Sequence, residues 1–413
     1  MSTSIETVII GGGQAGLAAS FYLTRQKREH VVLEQAAQAG RAWRDDRWDS
    51  FTLVTPNWSF RLPGAEYQGD DPGGFMPRDE IVARFEQYVD RFRLPVRFNT
   101  AVTSVERKPD GSGYRVETDG APYESNNVVV ATGLFQRPKL PPFSARLSPD
   151  ILQLHSGAYR NPLALPPGAV LVVGSAQSGC QIAEELQRSG RQVYLSVGSA
   201  GRAPRRYRDR DIFEWLDATR FLDRTVDKLP SPAARFAGNP HLSGKDGGHA
   251  INLHQFARDG MTLLGHIQGA DDGQLRFAPD LQESLAKIDK FETDLLTMID
   301  AHIAQSGLDA PKEDVPQLRD GYAAAVIEEL DLKSAGIHTI IWAMGYSFDF
   351  GLVHLPIFEA NGFPIQQRGV TEVPGLYFVG LPWMPGQKSG LLLGVGDNAA
   401  LIAEAIAAKR SVG

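Results

Sequence analysis

The amino-acid sequence predicts an α/β chain of two doubly wound, three-layer lobes, the second inserted in the first. Three observations carry that prediction. An apolar run, a glycine-spaced turn and a helical stretch occur in this order near the N-terminus; the same order starts again near residue 170; and strand-like runs return at 337–343 and 376–380 after a less regular middle. With 413 residues, 42% of them hydrophobic and 22% charged, the chain is long enough for two cores and ordinary in composition.

Taken in order, residues 7–10 read as a buried strand, Gly11-Gly12-Gly13-Gln14-Ala15-Gly16 as a turn, and 17–23 as a helix. Val31-Val32-Leu33-Glu34 supplies the next parallel strand. Residues 97–108 and 114–118 read as paired strands about a Pro/Gly turn, and 127–131 as another strand ending at Thr132-Gly133. After a proline-rich stretch at 137–143 the plan repeats as strand 170–173, turn Gly174-Ser175-Ala176-Gln177-Ser178-Gly179, helix 181–186 and strand 193–195. The repetition is one of architecture, not of a short repeat. The expected boundaries are 1–163 with 337–413 for the first lobe and 164–336 for the second, with a lid, substrate or dimerisation insertion at about 205–335 that contains a long helix over 279–305. Residues 392–408 have helical spacing and are expected to close the first lobe.

The two turns carry the chemistry. A dinucleotide pyrophosphate needs backbone N–H groups and a helix N-terminus at touching distance, which demands glycine where a Cβ would collide. Gly11, Gly13 and Gly16 have that spacing, and Glu34 stands at the end of the next strand, where a carboxylate accepts hydrogen bonds from an adenosine ribose. In the second turn Gly174, Ala176 and Gly179 take the three positions, with alanine replacing the middle glycine. Ser196-Val197-Gly198 offers no acid at the following strand end, and Arg202, Arg205, Arg206 and Arg208 come soon after. A guanidinium binds a 2′-phosphate through bidentate, charge-assisted bonds, so NADPH is expected in preference to NADH, with NADH use left open. The other reading of these arginines is a solvated basic face.

Composition narrows the partners. A formal net charge of −7 lacks the basic excess that phosphate-backbone binding needs, so no nucleic acid is expected. The single cysteine, Cys180, leaves no disulfide framework, CxxC pair or multi-cysteine metal site, and fits a reducing, cytoplasmic setting. No apolar run approaches membrane-spanning length, and no basic leader precedes residue 7. His241, Asp246, His249, His254 and His266 lack HxxxH or HExxH spacing, so no metal site is expected.

Together with the two turns, Gly40-Arg41-Ala42-Trp43, Ala131-Thr132-Gly133, Ala343-Met344-Gly345-Tyr346 and Gly375-Leu376-Tyr377-Phe378-Val379-Gly380 resemble the flavin-containing monooxygenase superfamily, the class B flavoprotein monooxygenases. The resemblance covers roughly residues 1–200 and 337–413. It implies FAD on the first turn and NADPH on the second, each in a Rossmann-like lobe. Gly11, Gly13, Gln14, Ala15, Gly16, Glu34, Arg41, Trp43, Ala131, Thr132 and Gly133 would serve the FAD site, with Arg41 reading equally as a solvent-facing side chain. Gly174, Ala176, Gln177, Ser178 and Gly179, with Arg202 and Arg205, would serve the nicotinamide cofactor, and Gly345 and Gly380 would mark strand ends that meet the cofactors.

The implied reaction passes hydride from NADPH to FAD and one oxygen atom from O2, through a C4a-(hydro)peroxyflavin, to nitrogen, sulfur or carbon of a small organic substrate. Asn57 resembles the family's active-site asparagine, and Pro56-Asn57 reads equally as a turn pair. The segment ahead of the last helix would aim either its backbone N–H groups or Lys388 at the flavin N1–C2=O edge, and Trp58, Trp215 and Trp383 are candidates for the substrate wall, with plain core the other reading. His155 and Tyr159 match only the end of the family's linker motif. Tyr159 stands where the Baeyer–Villiger fingerprint has tryptophan, which disfavours ketone-to-ester chemistry, and the pair otherwise reads as hinge packing. Two rival readings share the turns: a flavoprotein reductase with a non-disulfide acceptor, and a nucleotide-binding sensor without turnover. A homodimer over the long helix is a further expectation.

Overall fold

A computed structural model of the chain describes residues 2–229, 231–271 and 273–408. Its first sheet aligns the strands Val96–Arg97, His30–Leu33, Thr3–Ile10 and Tyr123–Val130 in parallel. The far edge of Tyr123–Val130 is shared. Leu376–Phe378 pairs parallel with its C-terminal end, while Tyr114–Thr118 and then Val102–Arg107 add antiparallel beside its N-terminal half. Alternate side chains fill two cores: Val8, Ile10, Val31, Leu33, Val128 and Val130 on one face, Ile9, Val32 and Val129 on the other. Because both faces are covered, these strands read in sequence as unbroken apolar runs. The helices Gln14–Arg25 and Val395–Ala408 pack on the second face through Leu17, Phe21, Ala399, Ile402 and Ile406, so the C-terminal helix closes the first lobe as expected.

The second sheet is all parallel, in the order Thr262–Leu264, Val193–Ser196, Ala169–Val173, Ile337–Trp342, Leu152–His155. This corrects the expected boundaries of 163 and 337. Ile337–Trp342 is paired on both edges within the second lobe, and Leu152–His155 lies beside it. The chain therefore leaves the first lobe before residue 152 and returns only after Trp342. The two crossings meet as an antiparallel ribbon, Arg137–Pro138 with Tyr346–Ser347.

The middle third is legible in structure where it was not in sequence. Its long helix, Leu281–Ser306, buries Leu281, Leu285, Ile288, Leu295, Ile299 and Ile303 at helical spacing against its own chain, so that stripe is already covered. A small antiparallel sheet of Ile267–Asp271, Gln274–Phe277 and Glu329–Asp331 was not anticipated. Among the described residues, no helix is long and apolar enough to cross a membrane.

Candidate active site

The two glycine turns match position for position. Gly11 and Gly174 both have φ +104°, and both donate an amide to the neighbouring strand end, at Leu33 O (2.9 Å) and Ser196 O (3.0 Å). A Cβ on Gly16 would collide with Gly11 O, and one on Gly179 with Gly174 O. Behind each turn stands one of the small-residue strand ends: a Cβ on Gly11 would lie 2.8 Å from Ala131 O, and one on Gly174 2.6 Å from Ala343 O. The Ala-x-Gly segments are thus the backing on which the turns rest.

Gly13 differs from the other glycines of its turn, because a Cβ there would meet nothing within 4 Å. Its smallness answers to no neighbour in the chain, and the open space lies at the N-terminus of Gln14–Arg25, where a pyrophosphate would sit. Glu34 is fixed at the strand end, its carboxylate accepting from Gly12 N (2.6 Å) and Ala36 N (2.8 Å). Gln14 Nε2 donates to Gly390 O (2.7 Å), and Gly380, at φ +77°, leaves no room for a Cβ against Ala15. Gly133 is at φ +70°, and Thr132 Oγ1 accepts from Gln136 (3.0 Å). The residues present fit FAD.

Around this cradle, Arg41 is exposed and turned towards Asp45 (3.9 Å) and Asp46 (3.8 Å), while Trp43 packs half-buried on the core. A residue that motif reading missed is Arg47. Its guanidinium lies over Trp43 (5.3 Å) and Phe51 (5.4 Å), makes no ion pair among the described residues, and has its pKa lowered by burial. Nothing in its spacing singled it out.

At the second turn Ala176 takes the place of Gly13, with nearly the same backbone angles (φ −79°, ψ −168° against φ −80°, ψ −173°). The same alignment puts Val197 where Glu34 stands, 1% exposed. Gly198 N donates to Ser175 Oγ (2.9 Å). Gln177 clamps the backbone of Leu242, accepting from its N–H (3.1 Å) and donating to its carbonyl, so the segment around Gly238–Leu242 runs beside the turn. Ser178 is half-buried in the first turn of the helix Gln177–Arg188. Cys180 is buried, its thiol pushed up by burial and donating to Ser175 O (3.0 Å).

Arg202 and Arg205 are corrections. Arg202 is 1% exposed and held by Asp289 (2.5 Å) and Glu292 (2.7 Å) of the long helix; Arg205 is held by Asp211 (2.6 Å) and Val54 O (2.7 Å). Both guanidiniums are spent inside the chain and are not turned to a 2′-phosphate. Trp215 is a third correction. It is wholly buried in the core of the insertion, with Nε1 bonded to Tyr207 O (2.7 Å), and so forms core and not an exposed wall.

Asn57 is buried beside the 71–76 loop, with its amide engaged: Nδ2 donates to Asp71 O (2.9 Å) and Oδ1 accepts from Met76 N (2.8 Å). As placed, it staples the 71–76 loop with its oxygen and one of its two amide hydrogens. The Lys388 ammonium pairs with Asp223 at 2.8 Å, which neutralises the charge expected at the flavin edge. Trp58 packs on the same apolar cluster as Phe221, Leu391 and Leu393, and its Nε1 is buried without a hydrogen-bond partner among the described residues. Trp383 is 8% exposed and sits at φ +59°, a strained region for a large side chain. Arg224, which sequence reading passed over, lies between these segments: its guanidinium is 3.5 Å over Phe221 and 5.9 Å from Trp383.

His155 clamps the return crossing. Its Nδ1 accepts from Gly157 N (3.2 Å), Nε2 reaches Gly345 O (3.0 Å), and its ring packs on Tyr346 (4.5 Å between centroids). Tyr159 donates to Glu185 (3.1 Å), which also accepts from Ser50 (2.6 Å). This is the hinge packing expected of the pair. The four histidines weighed as metal ligands scatter: His249 to Glu184, His254 to Asp289, His266 to Asp280, and His241 wholly buried. Among the described residues no metal-holding group of three forms.

Comparison with known proteins adds to this geometry. A family model described as pyridine nucleotide-disulphide oxidoreductase matches residues 8–218. An uncharacterized CzcO-like oxidoreductase of Geobacillus kaustophilus is 31% identical over 401 residues, covering 97% of each chain. A probable indole-3-pyruvate monooxygenase of Arabidopsis thaliana, YUCCA1, is 29% identical over 192 residues, 46% of each chain. Among solved structures, a flavin-containing monooxygenase from Stenotrophomonas maltophilia has TM-score 0.66 at 20% identity, covering 99% of this chain and 100% of that one.

Proposed function

The chain belongs to the pyridine nucleotide-disulphide oxidoreductase family and is an oxidoreductase, and from that premise we propose that it is an FAD-dependent, NAD(P)H-using monooxygenase of small organic substrates. The observation that carries the reading is the pair of matched glycine turns, one on each sheet, backed by equivalent strand ends that lead into the interlobe ribbon. Bound FAD would supply hydride acceptance from the nicotinamide and reaction with O2. The chain's own part is to bind and shield. Gly13 leaves the pyrophosphate its approach, Glu34 offers a carboxylate to the ribose, and the apolar cluster of Trp58, Phe221, Leu391 and Leu393 keeps water from the reacting groups.

Two features favour oxygen over a disulfide as the electron acceptor. The chain has one cysteine, and that thiol is buried and held protonated. For the nicotinamide cofactor, Val197 presents no acid against a 2′-phosphate, while Arg202 and Arg205 are unavailable to hold one. Use of both NADPH and NADH follows from that balance. The cytoplasm is the setting that fits these reductants.

Stopped-flow absorbance tests the reading. The FAD-loaded protein is reduced anaerobically with NADPH and mixed with oxygenated buffer. A long-lived transient absorbing neither as oxidised nor as reduced flavin is the expected result. Direct return to oxidised flavin would favour a reductase, and failure of NADPH and NADH to bleach the flavin would favour a sensor.

A further inference from the structure

We propose that Arg224 is the anchor for a carboxylate carried by an aromatic substrate. Arg224 is half-buried and makes no ion pair among the described residues. Its Nε donates to Phe221 O (2.9 Å) and one Nη2 hydrogen to Gln387 Oε1 (2.8 Å), and no bond engages Nη1 among the described residues. Neighbouring Asp223 does not neutralise it, being taken by Lys388 (2.8 Å) and Arg220 (3.3 Å). Burial lowers the pKa of Arg224, with no nearby acid to raise it back. A partly desolvated cation without a counter-ion is costly to keep. An anion at the open side of the guanidinium would offset that cost.

The surroundings describe that anion's bearer. Gln387 N donates to Arg224 O (3.0 Å), so backbone and side chain of Arg224 are both locked to the 387–390 turn, and the guanidinium is preorganised. Phe221 and Trp383 line its sides, and Trp58 in the adjoining cluster holds a buried Nε1–H that wants an acceptor. The 387–390 turn leads directly to Gly390, whose carbonyl touches Gln14 of the FAD turn. A flat apolar body with a carboxylate at one end satisfies the aromatic faces and the free Nη1 together. Calling this ligand a substrate rests on the monooxygenase reading; its binding does not.

The test is equilibrium binding to the FAD-loaded protein without reductant, with phenylacetate and its neutral isostere phenylacetamide as probes, read by tryptophan fluorescence and by the flavin spectrum. Phenylacetate is expected to bind about tenfold or more tightly than the amide, as a charge-assisted bond to arginine implies. Arg224→Met should bring the acid down to the amide's affinity with flavin content intact, and Arg224→Lys should leave an intermediate preference. Equal affinities in the unmodified protein, no binding of either probe, or an acid preference that survives Arg224→Met would overturn the proposal. So would a loss of NADPH affinity or flavin content in Arg224→Met with phenylacetate binding unchanged, which would assign the anion to a cofactor. The comparison of acid with amide needs no variant, and it uses neither NADPH nor oxygen turnover, so a failed oxygen reaction leaves it standing.

Discussion

The glycines of the first turn separate binding from folding at single positions. Gly16 has no room for a Cβ because Gly11 O is already there, whereas a Cβ on Gly13 would point into open space. Gly16→Ala is therefore expected to lower both Tm and flavin content. Gly13→Ala should keep the Tm of the apoprotein and lose FAD, measured as flavin absorbance after desalting; retention of stoichiometric FAD would place the pyrophosphate elsewhere. Arg202 makes the complementary case. Two carboxylates hold it in a buried site, so Arg202→Met strips Glu292 of its ion-pair partner and leaves Asp289 with Tyr322 and His254, and should cost about 3–5 kcal/mol in urea unfolding. The ratio of NADPH to NADH affinity should not move, because that guanidinium does not face the cofactor. The sequence offered Arg202 as a phosphate ligand because a basic run after a strand end looks the same whether its partners are solvent, phosphate or a helix far along the chain.

At the scale of elements, the repeat of strand, turn, helix and strand was fully legible, since glycine spacing and apolar runs are local properties of the chain. Its functional difference was legible too: Glu34 and Val197 occupy one position in two copies of one motif. In the second copy the amides of Ser175 and Ser199 correspond to those of Gly12 and Ala36 that hold the Glu34 carboxylate. Val197→Glu should therefore turn the second site against the 2′-phosphate, lowering NADPH affinity relative to NADH by about tenfold or more in a fluorescence titration. An unchanged ratio would mean that the ribose lies away from this strand end. What was not legible was set by pairing across distance. Ile337–Trp342 reads equally well as a strand of either lobe, and only its two neighbours decide. Trp215 reads as a pocket wall or as core until the Tyr207 carbonyl takes its N–H. The resemblance to flavin-containing monooxygenases was carried by the turns and strand ends and is borne out, while the middle third, poor in local pattern, gave no sign of Arg224.

Across the whole molecule, burial lowers the pKa of four histidines, His30, His155, His241 and His254, with His241 pushed to about 3 by burial and the nearby Arg202 charge. The unfolded chain protonates these rings near their ordinary value of about 6.5, so below that pH it binds protons that the folded chain refuses. Stability is then full above about pH 6.5 and declines as pH falls, for His241 down to about 3. Against the upward push of burial, hydrogen bonding from Tyr322 and the Arg202 charge hold Asp289 below the usual carboxylate range, so it adds nothing between about pH 7 and 5. Urea midpoints should fall over that interval, and His241→Phe should flatten the fall; a midpoint that rises on acidification would refute the assignment. The second property of the whole molecule is the union of its lobes. Arg205 donates to Val54 O of the first lobe, pairs with Asp211 of the insertion, and lies over Phe75 of the one (4.7 Å) and Phe213 of the other (5.5 Å). In the proposed reaction, hydride transfer between cofactors on separate lobes would depend on their alignment, where displacement by an ångström is costly. Arg205→Met is thus expected to leave FAD bound but slow anaerobic flavin reduction by NADPH by about tenfold or more, with NADPH affinity little changed. If the reduction rate were unaltered while stability fell, Arg205 would be a structural brace and the alignment of the lobes would be set by the Ser50, Tyr159 and Glu185 hydrogen bonds.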